Sequence, residues 1–285
     1  MELLSPAGGW EAMVAAVQNG ADAVYMGFGG LNARRSARNF TDEEFREAVA
    51  YCHLRRVKVY LTLNTLVTDR ELPAAAEALK KASDMGVDAI LIQDWGIWRL
   101  AREIAPEVPL HASTQMSLHT LGGACRAAEL GLERVVLARE LSRRDIHTIT
   151  RGCPAEIEVF GHGALCMCYS GQCEMSAVIG GRSGNRGLCA QPCRLPYRVY
   201  EGQHGQGKPA VMNRENEKYV LSLKDLCTLD ILPDILEAGV YSLKIEGRMK
   251  SPRYTAGVVS IYRKYTDRYL DHGREGYHVE PEDRK

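Results

Sequence analysis

The chain has 285 residues, with thirty-six basic and thirty-six acidic side chains and nine cysteines. This length suits one large α/β barrel or two ordinary domains, and the ordinary apolar and charged fractions argue against a disordered chain. The zero formal charge argues against nucleic-acid binding over the whole surface but is compatible with a local basic groove. No apolar run approaches the roughly 18 residues that a membrane span requires, and the first residues do not resemble a signal peptide. We therefore expect a cytoplasmic protein, whose cysteines point to metal binding or catalysis before disulfides.

Short β-rich runs alternate with amphipathic stretches along the chain. Eight strands are predicted: Glu2–Leu4, Ala23–Met26, Lys58–Leu63, Ala89–Gln93, Leu110–Ala112, Val135–Ala138, Ile157–Phe160 and Ser242–Ile245. Helical periodicity predicts helices at Thr41–Arg55, Leu72–Met85, Trp98–Ile104, Leu118–Leu130, Ser142–Thr150 and Asp225–Ala238. In the first helix, Thr41 is the predicted N-cap, and Glu44 completes a capping box.

Three similar turns indicate how helices lead into strands. Gly20, Gly86 and Gly239 each stand just before a predicted strand, where glycine supplies the left-handed conformation of a helix C-cap. Eight such units predict an α/β fold of the (β/α)₈, TIM-barrel type. A doubly wound open sheet is the alternative, although no G-x-G-x-x-G follows a strand here.

The domain organisation follows from this pattern. We expect residues 1–268 to form the barrel, with a long cysteine-rich insertion at 162–222 after the seventh strand. Insertions at the C-terminal ends of barrel strands are where active sites are built. The polar residues 269–285 are expected to be a tail or a linker to a further domain.

The insertion carries a cysteine pattern suited to metal binding. Cys166, Cys173, Cys189 and Cys193 form C-x6-C-x15-C-x3-C, and four thiolates suit an iron–sulfur cluster or zinc. The spacing lacks the paired C-x2-C knuckles of a zinc ribbon, which favours a [4Fe–4S] cluster over structural zinc. Buried neutral thiols are the third interpretation.

Four of the five remaining cysteines divide into two groups. Cys168 and Cys227 are each possible replacements for one of the four ligands. Cys52 and Cys125 lie on the apolar faces of predicted helices and are expected to pack in the core.

Polar residues at the ends of the predicted strands form a second set of candidates. They are Asn64, Gln93, Asp94, His111, Ser113, Gln115, Arg139, His162, Lys244, Glu246 and Arg248. Arg139 and Arg248 are candidates to hold a dicarboxylate or phosphate, or else to pair with Glu158 or Glu246.

Proton transfer has its own candidates. Glu158 and Glu246 are candidate general acids or bases, or structural partners of Lys244 and Arg248. His162 is a candidate for proton transfer or for a cysteine–histidine pair with Cys166, and His111 is a second histidine candidate.

Basic and aromatic residues in the loops are either candidates for RNA contacts or ordinary solvated loop residues. They are Arg182, Arg186, Arg194 and Arg198 in the insertion, Arg34, Arg35 and Arg38 after the second strand, and the aromatic residues Tyr169, Tyr197 and Phe40. A peptidase has less local support, since neither H-E-x-x-H nor G-x-S-x-G occurs.

Several motifs together resemble a known family. They are Glu158–Cys166 with Gly171–Ser176, Leu4–Gly8, Gly20–Tyr25 and Ser242–Arg248, and they span nearly the whole chain. On these residues the chain resembles the collagenase-like peptidase family, family U-32.

The resemblance implies more than one activity. Some members are described as proteases of unknown catalytic type, while others hydroxylate RNA bases or the ubiquinone ring without molecular oxygen. Several bind a [4Fe–4S] cluster through such cysteines. The RNA-modifying members make 5-hydroxycytidine in rRNA or 5-hydroxyuridine in tRNA, with prephenate implicated as the hydroxyl source. The uninterrupted cysteine motif resembles these members more than the ubiquinone-modifying pair.

Overall fold

Eight parallel strands close into a barrel in the computed structural model, which describes residues 1–34, 39–201 and 211–284. The barrel strands are β1 (Glu2–Pro6), β2 (Ala23–Met26), β3 (Lys58–Leu63), β4 (Ala89–Ile92), β5 (Leu110–Ala112), β6 (Arg134–Val136), β7 (Glu156–Gly163) and β9 (Ser242–Ile245). Each strand pairs with the next, and β9 closes the sheet between β7 and β1. The predicted (β/α)₈ barrel is confirmed, and the open-sheet alternative is wrong.

Helices follow the strands around the barrel. They are α1 (Trp10–Gln18), α2 (Asp42–His53), α3 (Leu72–Met85), α4 (Trp95–Ile104), α5 (Leu121–Glu129), α6 (Arg143–Gly152), α7 (Met175–Gly180), α8 (Leu232–Glu237) and α9 (Pro252–His272). The predicted capping box is present, with Thr41 and Glu44 bonded reciprocally. The three predicted cap glycines have positive φ angles of 95°, 75° and 85° at Gly20, Gly86 and Gly239.

One predicted helix begins too early. Residues Leu226–Cys227 form the short strand β8, which pairs antiparallel with the end of β7. The helix of this unit begins only at Leu232, where a proline occupies the first turn.

Apolar residues form two layers. The larger one lies between the strands and the helices, and Cys52 is fully buried in it while Cys125 packs partly buried against it. The smaller layer fills the barrel interior and includes Tyr25, Tyr60 and Phe160. The two expectations of core packing for these cysteines are confirmed.

An ion-pair network fills the N-terminal end of the barrel. Arg134 at the start of β6 is 1% exposed and contacts Glu2 at 2.6 Å, Glu156 at 2.7 Å and Glu158 at 3.2 Å. This end is therefore occupied by a satisfied network, and the open end lies at the carboxyl ends of the strands.

The chain from 164 to 225 connects β7 to β8 and holds α7 and several short 3₁₀ turns. Beyond α9, Arg274 pairs with Asp234 and Glu237 of α8 at 2.6 Å, and the Tyr277 hydroxyl donates to the carbonyl of Leu229. In the described parts of the chain, no helix is long and apolar enough to cross a membrane.

Candidate active site at the barrel mouth

A pocket lies at the carboxyl ends of the barrel strands, where active sites of this fold are found. Its lining includes Tyr25, Arg34, Thr62, Asn64, Ser113, Gln115, Arg139, Phe160, Lys244, Glu246 and Arg248. The cavity is narrow, about 40 Å³, which is space for a few water molecules or one small anionic group. Seven of the predicted strand-end residues meet here: Asn64, Ser113, Gln115, Arg139, Lys244, Glu246 and Arg248.

Two of the pocket's cations are neutralised by carboxylates. Lys244 Nζ lies 2.9 Å from Glu158 Oε1, and Glu158 is fully buried beneath the pocket. Arg34 Nη2 lies 2.7 Å from Glu246 Oε1. Burial alone raises the pKa of Glu246, but the charges of Arg34 and Arg139 outweigh it and lower that pKa. Glu246 is therefore ionised at neutral pH and able to accept a proton.

Arg248 is a buried cation without such a neutralising partner. It is 7% exposed, and its Nη1 donates a 2.8 Å hydrogen bond to Thr62 Oγ1. Among the described residues, no carboxylate lies within ion-pair distance of it. Burial and then the charge of Arg34 lower its pKa to about 10. An anion entering the pocket would supply the missing countercharge.

Arg139 connects the pocket to the cysteine segment. Its Nη2 lies 3.2 Å from Cys166 Sγ, and its Nη1 donates to the carbonyl of Ala164 at 3.3 Å. Its Nε contacts Ser170 Oγ at 3.4 Å, and its guanidinium carbon is 5.1 Å from the Phe160 ring centre. No ion pair joins it to a carboxylate of the described residues. The alternative of an internal salt bridge is thus not realised for either Arg139 or Arg248.

The four predicted cysteine ligands lie in the same neighbourhood. Burial raises the pKa of Cys193, and the thiols of Cys166, Cys189 and Cys173 add to that rise. Cys168 behaves similarly beside Cys173. In the part of the chain that the structure describes, no three histidine, cysteine or acidic side chains are grouped closely enough to hold a metal ion. The donor set itself, four neighbouring thiols, is chemically suited to a cluster or to zinc.

Other predicted site residues lie outside the pocket. His162 is half-buried between the rings of Tyr254 and Tyr262, with its Nδ1 buried and without a partner among the described residues. Burial lowers its pKa, as it does more strongly for His111 in the barrel interior. Asp94 caps α4 by accepting from the backbone of Gly96 and Ile97, which is a structural role.

The predicted RNA contacts also separate into two groups. Arg186 forms a bidentate ion pair with Glu71 and Arg194 donates to the carbonyls of Leu165 and Leu223, so both anchor the segment. Arg182, Arg198 and Tyr169 are exposed, whereas Phe40 is buried in the core. Arg35 and Arg38 lie outside the described residues.

Tyr25 and Thr62 are pocket residues that sequence reasoning did not single out. The Tyr25 ring lies 4.4 Å from Lys244 Nζ, and Thr62 holds Arg248. Both belong to strands that were predicted only as apolar runs. Their side chains point into the barrel because successive side chains of a strand alternate between its two faces.

Comparisons with known proteins agree with this architecture. The family model described as Peptidase family U32 matches residues 8–285. A tRNA hydroxylation protein of Bacillus subtilis is 41% identical over 94% of this chain and 63% of its own length. The 23S rRNA 5-hydroxycytidine C2501 synthase of Escherichia coli is 40% identical over 95% of this chain and 40% of its own length. The chain thus spans less than two thirds of these relatives.

Two further relatives widen the comparison. A protein named collagenase from Porphyromonas gingivalis is 37% identical over 95% of this chain and 66% of its own length. The solved structure of a U32 peptidase superposes with a TM-score of 0.53 at 13% identity, covering 87% of this chain and 93% of that one. That likeness concerns the fold alone.

Proposed function

The chain belongs to peptidase family U32, and we propose that it hydroxylates a pyrimidine base in tRNA or rRNA. The observation that carries this proposal is the 41% and 40% identity, over nearly the whole chain, to proteins named for tRNA and rRNA hydroxylation. The barrel-mouth pocket supports it, because an unneutralised arginine there adjoins a segment with four thiols. We further propose that the protein acts in the cytoplasm, where its RNA substrates are found.

A [4Fe–4S] cluster is the proposed cofactor, with zinc as the alternative. Cys166, Cys173, Cys189 and Cys193 would hold it, since four thiolates of one segment are the donor set of such a cluster and Cys166 contacts the pocket residue Arg139. When bound, a cluster supplies electron transfer or a Lewis-acid site. The proposed hydroxylation does not use molecular oxygen.

The pocket itself is proposed to bind one carboxylate group of a co-substrate such as prephenate. Exchanging hydrogen for hydroxyl on a base removes two electrons from it. The co-substrate must therefore accept those two electrons, whether the hydroxyl oxygen comes from the co-substrate itself or from water. Arg139 and Arg248 are the two pocket cations without a carboxylate partner in the described chain, which suits a dicarboxylate. Glu246, ionised beside Arg34, is placed to accept the proton that the base loses. His162 does not line the pocket, so we assign it no role in the proposed reaction.

The target base must be unpaired or flipped to reach the mouth of a barrel. The narrow pocket suits a single carboxylate group, so the rest of the co-substrate and the base would lie above it at the rim. Arg139 would lie between the co-substrate and the cysteine segment, because it lines the pocket and contacts Cys166.

The test is mass spectrometry of tRNA and rRNA nucleosides from a strain that lacks the gene, with and without the full-length protein restored. Loss of a 5-hydroxypyrimidine that returns on restoration supports the proposal, and unchanged nucleosides overturn it. Protein purified without oxygen should hold about four irons and four sulfides. One zinc per chain and no product would indicate a zinc-stabilised RNA-binding module instead. Peptide hydrolysis that survives chelation and stops on cysteine alkylation would indicate a peptidase.

A further inference from the structure

An exposed aromatic pair lies beside the pocket and has no part in the chemistry above. The ring centres of Tyr169 and His119 are 6.2 Å apart. Tyr169 is 59% exposed and His119 is also exposed. Both side chains are therefore accessible to a ligand at the rim of the pocket.

The pair is held by two interlocked turns rather than by loose loops. The Ser117 hydroxyl donates to the carbonyl of Ser170 at 2.6 Å, and Gln172 Nε2 donates to Ser117 Oγ at 2.8 Å. A Cβ at Gly171 would lie 2.1 Å from the carbonyl oxygen of Gln115, so the two backbones are in direct contact. The His119 ring is itself fixed, because its Nδ1 donates to the carbonyl of Ser117 at 2.6 Å.

The same turns reach into the pocket. Gln115 lines it, and Ser170, next to Tyr169, contacts both the backbone and the side chain of Arg139. Arg139 is a pocket cation that no carboxylate of the described chain neutralises. An aromatic surface, on which a nucleobase can stack, is therefore joined rigidly to the pocket in which the co-substrate is proposed to bind.

We propose that the Tyr169 ring, with the His119 ring inclined beside it at 57°, is a stacking platform for an unpaired RNA base that flanks the target base. This inference rests on the proposed function for the identity of its ligand. A base drawn to the barrel mouth leaves its neighbour unstacked, and an aromatic ring replaces the lost stacking whatever the identity of that neighbour.

Binding of fluorescein-labelled oligouridine to the full-length protein, measured by anisotropy, tests the platform apart from catalysis. An oligomer of the same length without bases is the second probe. Wild-type protein should prefer oligouridine, and Tyr169→Ala should raise the Kd for oligouridine about 5- to 100-fold while leaving the abasic probe unaffected. Tyr169→Phe should keep the preference, because stacking needs the ring and not the hydroxyl. Tyr241→Ala is the matched control, since that tyrosine is 40% exposed before β9 at the opposite end of the barrel.

An equal loss of affinity for both probes would overturn the platform, since it would indicate a structural role for Tyr169. An unchanged Kd in Tyr169→Ala would overturn it as well, even where the protein hydroxylates RNA. A lost base preference in a protein that makes no hydroxylated pyrimidine would support the platform and refute the proposed reaction. The two failures are thereby distinguished.

Discussion

Gly8 and Arg248 are in direct backbone contact at the barrel mouth. A Cβ at residue 8 would lie 1.8 Å from the carbonyl oxygen of Arg248 and 2.9 Å from its carbonyl carbon. Gly8 follows β1 and Arg248 follows β9, which are neighbouring strands. The contact joins the two motifs Leu4–Gly8 and Ser242–Arg248 and positions the arginine over the pocket.

Replacing Gly8 by alanine should therefore displace Arg248. The added methyl group meets backbone, which cannot swing away as a flexible side chain can, so the loop after β9 must shift. We expect weaker binding of prephenate and loss of RNA hydroxylation, measured by calorimetry and nucleoside mass spectrometry. Gly9→Ala is the matched control, because a Cβ there meets no atom closer than 4.0 Å. Equal activity of the two variants would contradict the positioning role of Gly8.

Arg248→Met should make the ligand-free protein more stable while abolishing co-substrate binding. The pKa of Arg248 is lowered from 12.5 to about 10, so its charge costs stability below pH 10, and that cost disappears as the pH rises from 10 towards 12.5. Methionine keeps much of the apolar stem without the charge, and we expect a gain of about 1–3 kcal/mol in unfolding free energy at neutral pH.

Urea unfolding of the two proteins without ligand measures this difference. Arg248→Lys is the control that keeps a charge and should not show the gain. A methionine variant that is less stable than the wild type would mean that Arg248 is already neutralised in the native protein.

Cys173→Ser should remove the cluster and the RNA modification while leaving the barrel folded. Cys173 lies in the segment between β7 and β8, outside both apolar layers of the barrel. Iron analysis, visible absorption and circular dichroism measure the three effects. Cys125→Ser, a change on α5 against the core, should keep its iron. Undiminished iron in Cys173→Ser would remove Cys173 from the ligand set, and the same test on Cys168→Ser and Cys227→Ser identifies a replacement ligand.

The strands were predictable because they are short apolar runs, and β2, β4 and β9 in addition begin after glycine caps. β2, β3, β5 and β9 agree with prediction at both ends, and β7 is longer than predicted by one residue at its start and three at its end. Helices α1, α7 and α9 were not predicted. In α1 the sequence WEAMVAAVQ has few polar residues to mark an outer face, so its period is weak.

The partners of the charged residues were less predictable than the strands. Glu246 was predicted to lie at the barrel mouth because it follows the last strand, but its ion-pair partner is Arg34, 212 positions away. Such a pair depends on how the loop after β2 folds across the barrel, which no local pattern encodes. Glu158 had two possible roles, and only the closed barrel shows that Lys244 and Arg134 both bind it.

Glu2→Gln should destabilise the barrel in a pH-dependent way. Burial alone raises the pKa of Glu2, but the hydrogen bond and charge of Arg134 outweigh it and lower that pKa below 4.5. Folding therefore favours the ionised form of Glu2. Its contribution to the unfolding free energy is fully present above the unfolded pKa of 4.5 and is lost as the pH falls through the native pKa. Glutamine would leave Arg134 with two carboxylates in place of three, at a cost of about 3 kcal/mol near neutral pH. Urea unfolding should show that the difference between wild type and variant shrinks in acid. The exposed Glu133 supplies the control Glu133→Gln, whose small effect should not vary in this way. A difference for Glu2→Gln that is the same at neutral and acid pH would show that its charge does not stabilise the barrel.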